Sequence, residues 1–97
     1  MTAGVEQRVI HEPERRRFTI ALDEGSAVLE YRAIDSATLD YYHTFVPAAQ
    51  RGAGLASELA AFALRYALDR HLKVVPTCPF VAAYVRRHPE LGSTRAR

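Results

Sequence analysis

The residues best suited to chemistry in this chain form a basic, glycine-containing turn, Arg51-Gly52-Ala53-Gly54-Leu55-Ala56. An apolar run ends before it at Pro47 and a pattern of helical spacing follows it, which predicts the order strand, turn, helix. Backbone N–H groups at a helix N-terminus lack partners, and glycine leaves room for a ligand to approach them. This combination is typical of a phosphate site. The alternative is a plain glycine turn before a surface helix, because Gly-x-Gly alone is weak evidence.

The surroundings of the turn resemble one protein family. The turn is similar to the R-x-x-G-x-[GA] pyrophosphate motif of the GNAT superfamily of N-acetyltransferases, with Arg51, Gly54 and Ala56 at the motif positions. Residues 75–90 resemble the V-P-x-C-P-F-x-x-x-Y-x-x-x-H-P-E signature of its small, single-domain branch, and His43-Thr44 belongs to the same pattern. P-loop and dinucleotide motifs do not fit, because neither Lys-Ser nor Lys-Thr follows the glycines and no third glycine completes G-x-G-x-x-G.

Length and hydrophobic content predict one compact domain over residues 1–97. The chain has 97 residues, of which 48% are hydrophobic, and this is enough for one core but not for two. Alternating apolar residues and turn signals predict an antiparallel meander. Its three strands are expected in series at Arg17–Leu22, Ala27–Ile34 and Thr38–Val46, and a separate short strand is expected before them at Arg8–His11. Residues 1–7 and 91–97 are expected to be loose ends.

Two helices and a fifth strand complete the predicted fold. Apolar residues recur at helical spacing from Leu55 to Ala67, which predicts an amphipathic helix that ends near Arg70. Residues 73–77 follow as a short buried strand, and the right-handed crossover through the helix makes it parallel to the preceding strand. Pro79 then opens a short last helix. The expected class is therefore α/β, a mixed sheet with two main helices, and the resemblance implies the minimal GNAT fold.

The site is expected where the two parallel strands end, because ligands of open α/β sheets bind outside the carboxyl ends of such strands. Pro47 and Pro76 cannot donate hydrogen bonds between strands, which fits strands that stop pairing at this point. In the GNAT family these strands splay and the pantetheine arm lies between them, so the resemblance implies acetyl-CoA as the cosubstrate. The cofactor-binding residues that it implies are Phe45, Val46, Arg51, Gly52, Ala53, Gly54, Leu55 and Ala56.

Acetyl transfer to an amine requires a donor for the carbonyl oxygen, an acid for the departing thiolate and a base for the amine. The resemblance assigns the first role to the N–H of Phe45 or Val46. It assigns the second to Tyr84, for which core packing is the alternative. His43 is the proposed base, because an ordinary histidine titrates near neutrality. Members of this branch commonly carry Glu where Phe45 stands, so His43 or water replaces a carboxylate base.

Cys78, the only cysteine of the chain, has two interpretations. The family signature keeps a cysteine here, which implies either a nucleophile that forms an acetyl-cysteine or a wall of the pocket. A lone thiol at the end of a buried strand is usually a small core residue. Arg86 and His88 are the only cations near it in sequence that favour a thiolate. Without an evident activating partner, direct transfer to the amine is expected.

Composition bears on the remaining classes of function. The net charge is +2 at pH 7, which is weak support for a nucleic-acid partner. No apolar run is long enough for a membrane span or a signal peptide, so a cytoplasmic location is expected. The four histidines and one cysteine show no metal-ligand spacing, and no metal is expected.

Two other functions stay open at the level of the sequence. One is a CoA-binding module without catalysis, suggested by Phe45. The other is a small basic nucleic-acid-binding protein that uses Arg15–Arg17 and the C-terminal arginines, although three arginines beside nearby acids are more often a solvated edge. The sequence does not identify the acceptor among a protein lysine, an N-terminus and a small amine, nor the oligomeric state.

Overall fold

The computed structural model describes residues 8–94, which form a five-stranded mixed sheet and two α-helices. The strands, adjacent in the order of the chain, are β1 Ile10–Glu12, β2 Arg17–Ala21, β3 Ser26–Asp35, β4 Thr38–Phe45 and β5 Lys73–Val75. The helices are α1 Leu55–Asp69 and α2 Pro79–Arg87. Short 3₁₀ helices occupy Pro13–Arg15, Ala48–Gln50 and Pro89–Thr94. None of the helices between residues 8 and 94 is long and apolar enough to cross a membrane.

The predicted topology is confirmed. The first four strands form an antiparallel meander, and β5 returns parallel to β4 after α1. Turn chemistry explains the hairpins: Gly25 adopts a φ of 87° between β2 and β3, and the Asp35 carboxylate accepts a hydrogen bond from the N–H of Ala37 at 2.8 Å between β3 and β4. Both turns lie where the sequence predicts them.

The antiparallel register arranges side chains in rows that cross β1 to β4, and successive rows face opposite sides of the sheet. The helix-facing row consists of His11, Phe18, Leu29 and Thr44. What we term the charged row consists of Glu12, Arg17, Glu30 and His43, and the apolar row consists of Ile10, Thr19, Val28 and Phe45. These last two rows lie on the other side of the sheet, here called the open face, because α1 and α2 pack together with the core on the helix-facing side.

The core lies between the helix-facing side of the sheet and α1. Phe18, Leu29 and Tyr41 are fully buried there and meet buried alanines and leucines of the helix. The Tyr41 hydroxyl donates a hydrogen bond to the carbonyl of Ala63 at 2.6 Å, which ties β4 to the middle of α1. Burial raises the pKa of the Tyr41 phenol far above its ordinary value, so Tyr41 acts here as a neutral structural donor.

Several expectations about the ends of elements differ from the structure. β1 covers Ile10–Glu12 rather than Arg8–His11. β5 ends at Val75 rather than Thr77, since Pro76 has no N–H for the ladder. The tail expected to be loose from Leu91 onward is a 3₁₀ helix up to Thr94, and Leu91 is only 5% exposed because it packs into the core. Residues 1–7 and 95–97 of the expected loose ends lie outside the described part of the chain.

The hydrogen bond between Tyr41 and Ala63 yields a stability prediction. Tyr41→Phe removes the hydroxyl but keeps the ring, so the protein should lose about 1 kcal/mol of unfolding free energy. Thermal denaturation should show a fall in Tm of roughly 4–8 °C for that loss. Tyr42→Phe is the matched control, because Tyr42 is 37% exposed on the next position of the same strand, and its Tm should be nearly unchanged. Equal Tm values for Tyr41→Phe and the wild type would contradict this account of the core.

Candidate functional site

The pairing of β4 with β5 ends well before β4 itself ends. Their register stops at Asp40 opposite Val75, whereas β4 continues to Phe45. One further hydrogen bond, from the N–H of Cys78 to the carbonyl of Tyr41 at 2.9 Å, joins β4 to the segment after β5. α2 begins at the next residue. A gap therefore opens beside the last part of β4, where the sequence predicts that the parallel strands splay.

The backbone of β4 directs one of the two predicted donors into this gap. The N–H of Tyr31 donates to the carbonyl of Arg16, so the backbone groups of Tyr31 point toward β2. Backbone groups alternate in direction along a strand, and Val28 is three residues before Tyr31, so the backbone groups of Val28 point toward β4. Phe45 is opposite Val28 and directs its N–H to β3, and the N–H of the next residue, Val46, points to the gap. This alternation favours Val46 over Phe45 as a donor to a bound group.

The turn after β4 places further donors at the mouth of the gap. Gly52 and Gly54 have φ values of 92° and 81°, which other residues rarely adopt, and a Cβ on either would point into open space. Gly54 is the N-cap of α1 and no side chain caps the helix. The first helical bond joins the N–H of Glu58 to the carbonyl of Gly54 at 3.0 Å, so the N–H groups of residues 55–57 precede the ladder and have no partner within it.

A cavity of about 390 Å³ lies between this turn, the end of β4 and the start of α2. It is lined by Thr44, Val46, Gln50, Arg51, Gly52, Gly54, Leu55, Ala56, Ser57 and Phe80. The structure thus brings six predicted cofactor residues to one wall and leaves Ala53 and Phe45 outside it. Sequence reasoning did not assign Thr44, Gln50, Ser57 and Phe80 to the site, although Phe80 belongs to the family signature and Thr44 lies between two predicted residues.

Arg51 has a structural contact at the edge of this cavity. Its Nε donates to the carbonyl of Val46 at 2.8 Å, and its guanidinium lies 6.0 Å from the centre of the Phe45 ring. The side chain therefore joins the turn to the end of β4 and keeps a positive charge beside the exposed N–H groups. Both effects favour an anion at this place.

Cys78 and Tyr84 do not line the cavity but lie behind residues that do. Cys78 is 6% exposed, and its Sγ is 3.4 Å from the hydroxyl of Thr44, which lines the cavity. The Tyr84 ring is half-buried, 6.5 Å from the ring of Phe80 and stacked on His88 at 4.1 Å. Its hydroxyl forms no hydrogen bond within residues 8–91. The geometry is compatible with both the core-packing interpretation of Tyr84 and the predicted acid.

His43 lies on the opposite side of the sheet from Cys78. Thr44 belongs to the helix-facing row, so its neighbours His43 and Phe45 point to the open face, where Phe45 is 44% exposed. The sequence predicts His43, Cys78 and Tyr84 around one amine, and the structure separates the imidazole from the thiol by the thickness of the sheet. The gap beside β4 is the opening that joins the two sides.

A larger cavity of about 540 Å³ lies elsewhere, between β1 and the outer side of α1. Its wall includes His11, whose Nε2 is 2.6 Å from the hydroxyl of Tyr31 and whose ring stacks on Phe18 at 4.5 Å. Burial, and secondarily the charge of Arg70, lowers the pKa of His11. This cavity contains no exposed helix N-terminus and none of the predicted site residues, so we place the candidate site in the smaller one. Within residues 8–94 no cluster of three or more His, Cys, Asp or Glu residues could hold a metal ion.

Comparison with known sequences gives relatives over most of the chain. A family model described as GCN5-related N-acetyl-transferase matches residues 17–94. Protein NATD1 of Homo sapiens is 39% identical over 88 residues, which cover 89% of this chain and 78% of that protein. Protein NATD1 of Gallus gallus is 38% identical over 88 residues, covering 89% of this chain and 80% of that protein.

Comparison with solved structures gives the same fold. The solution structure of a GCN5-like protein from Staphylococcus aureus superimposes with a TM-score of 0.68 and covers 95% of this chain and 90% of its own. At 19% sequence identity this likeness concerns the fold alone. The mixed sheet and the two helices thus have a counterpart in a solved protein. Together with the family model, which matches most of the sequence, they show that the chain belongs to the GCN5-related N-acetyltransferase family.

Proposed function

We propose that this protein is an acetyl-CoA-dependent N-acetyltransferase that transfers the acetyl group directly to an amine. The observation that carries the proposal is the cavity in which the uncapped N-terminus of α1 meets the unpaired end of β4. Such a cavity offers donors to a phosphate at one end and a free strand edge at the other. Membership of the family supports an acetyltransferase-like role, and the motif from Arg51 to Ala56 supports acetyl-CoA as the donor.

The residues of the cavity fit the parts of acetyl-CoA in order. The N–H groups of residues 55–57 and the charge of Arg51 would hold the pyrophosphate. The free edge of β4 would hold the pantetheine arm by backbone hydrogen bonds, as an added strand is held. Bound there, acetyl-CoA supplies an activated acetyl group as a thioester beside Thr44 and Val46.

The chain's own groups would then serve three tasks. The N–H of Val46 points into the gap and would donate to the carbonyl oxygen as that oxygen gains negative charge. The hydroxyl of Tyr84 would give a proton to the departing thiolate. His43 would take a proton from the ammonium of the acceptor, and the neutral amine would then attack the thioester carbonyl. Since His43 lies on the open face, the amine would approach from that side and meet the acetyl group through the gap. Cys78 would have no covalent role, because its thiol contacts only Thr44 among the described polar side chains.

A CoA-binding module without catalysis is the second candidate. The observation that favours it is the exposed Phe45 ring on the open face beside His43, where a carboxylate would be a more useful neighbour for a base. The nucleic-acid alternative has less support, because the Arg17 guanidinium pairs with Glu12 at 2.6 Å. This ion pair weakens the attraction of Arg17 for a phosphate. Incubation with radiolabelled acetyl-CoA and a panel of amines distinguishes these candidates, because only an enzyme would transfer the label to an amine.

Binding of the cofactor through the turn gives a testable prediction. In Gly54→Ala a methyl group would project into the cavity at a backbone position that disfavours it, and calorimetry should show CoA affinity reduced roughly tenfold or more. Gly25→Ala is the matched control, because Gly25 also has a positive φ of 87° but lies outside the cavity. Its affinity should equal that of the wild type. Equal CoA affinity for folded Gly54→Ala and the control would reject the phosphate assignment.

Direct transfer predicts the covalent state of Cys78. After brief mixing with acetyl-CoA alone, intact-mass analysis with digestion should show no rapid stoichiometric adduct on this thiol, because no described group is placed to activate it. Cys78→Ala should keep most of the turnover. Rapid acetylation of Cys78 that is chased off by added amine would replace direct transfer with a two-step route.

The role of Tyr84 gives a separate prediction. Tyr84→Phe should slow acetyl transfer by roughly 10²-fold or more, because it removes the proposed acid and keeps the ring. Tyr66→Phe is the control, since Tyr66 is a half-buried tyrosine of α1 outside the candidate cavity. Turnover of Tyr84→Phe at the wild-type rate, with acetyl transfer shown to limit the rate, would assign Tyr84 to core packing.

A further inference from the structure

The charged row of the open face ends at the gap. The row contains one residue from each of four strands: Glu12, Arg17, Glu30 and His43. Carboxylates therefore alternate with a guanidinium and an imidazole along it. The first pair is formed, with Glu12 Oε1 at 2.6 Å from Arg17 Nε. His43 closes the row on β4, at the level where β5 no longer covers the edge of the sheet. The row therefore connects the proposed base to charged side chains on three other strands.

Glu30 is the direct cross-strand neighbour of His43. The two residues are paired in the antiparallel register of β3 and β4, so their side chains lie on the same face with Cα atoms about 5.5 Å apart. Glu30 is half-buried, and its carboxylate forms no hydrogen bond or ion pair with any residue between 8 and 91. The His43 side chain is exposed and does not bond the Glu30 carboxylate in this structure. Side chains directly opposite each other on antiparallel strands are near enough to interact.

The other charges that face His43 are already engaged. On β3, the Arg32 guanidinium binds Asp40 Oδ2 at 3.2 Å and lies 4.6 Å from the centre of the Tyr42 ring. Asp40 on β4 is the carboxylate that binds Arg32, and its second oxygen, Oδ1, has no hydrogen-bond partner among the described residues but is buried. On β2, Arg17 is paired with Glu12. Phe45, the next open-face residue of β4, cannot accept a hydrogen bond. Among the described residues of the open face, Glu30 is thus the carboxylate left to orient His43.

We propose that Glu30 is a positioning residue for His43. Its carboxylate accepts the N–H of Nδ1, which leaves Nε2 without a proton and directed at the gap. A neutral imidazole has one donor and one acceptor nitrogen, and the partner of the first decides which nitrogen can act as a base. The ammonium of the acceptor gives its proton to Nε2, and the resulting imidazolium is stabilised by the charge of Glu30. This role in the reaction rests on the proposed function.

The tautomer of His43 tests the contact without any assay of transfer. In ¹⁵N NMR spectra of the cofactor-free protein above pH 8, the His43 ring of the wild type should show the proton mainly on Nδ1. Glu30→Gln keeps the shape of the side chain and removes its charge, so the population should move toward the Nε2–H form that free histidine prefers. Glu24→Gln, a change in the exposed turn before β3, should leave the spectrum unchanged. An identical tautomer ratio in the wild type and Glu30→Gln would overturn the proposal.

A double-mutant cycle tests the effect on transfer. Glu30→Gln should lower kcat roughly tenfold, since only part of the His43 population would then be a competent base. Its CoA affinity should stay at the wild-type value, and Glu30→Asp should recover part of the lost rate. On a His43→Gln background, Glu30→Gln should cause no further loss. An equal loss on both backgrounds would show that Glu30 does not act through His43. If no variant and no wild-type protein transfers acetyl groups, the proposed function fails, while the tautomer measurement still decides the contact.

Discussion

The early end of the pairing between β4 and β5 is the constraint on which the rest of the structure depends. Pro76 has no N–H, so the ladder stops after Asp40 and Val75, and the single bond from Cys78 to Tyr41 anchors the chain before α2 begins. The last part of β4 then has backbone groups without a partner strand. In the interior of a sheet such groups would destabilise the fold, but at an open edge they can bind a ligand.

This gap makes the candidate site two-sided. The alternation of a β-strand sends Thr44 to the helix-facing side and both His43 and Phe45 to the open face. The cavity at the N-terminus of α1 lies on the first side, and the charged row reaches the second. A cofactor and an acceptor that bind on opposite sides need not compete for space, and they meet only where β5 is missing. The arrangement thereby favours direct transfer over a relay through a residue on one side.

The stability of so small a structure depends on one face of the sheet. Phe18 contacts the rings of His11, Tyr31, Tyr41 and Tyr66, with centroids between 4.5 and 6.0 Å apart, and this aromatic cluster fills the space under α1. The open face contributes far less to the core, and Ile10 remains 55% exposed there. Packing the helices on one side concentrates the apolar contacts and leaves the other side available for recognition of a substrate.

Local patterns in the sequence determined the elements and the turn. Period-two alternation, the helical spacing after Leu55 and the prolines near both strand ends predict the sheet, α1 and the gap, because each reflects the conformation of a few neighbouring residues. The lack of a Cβ at Gly52 and Gly54 likewise follows from residue type, and it permits the positive φ values that the structure shows there. Only the tertiary structure decided that Phe80 and Thr44 share a cavity, that Leu91 is buried, and that Glu30 faces His43. Those contacts depend on strand register and helix packing between distant segments, which no local pattern specifies.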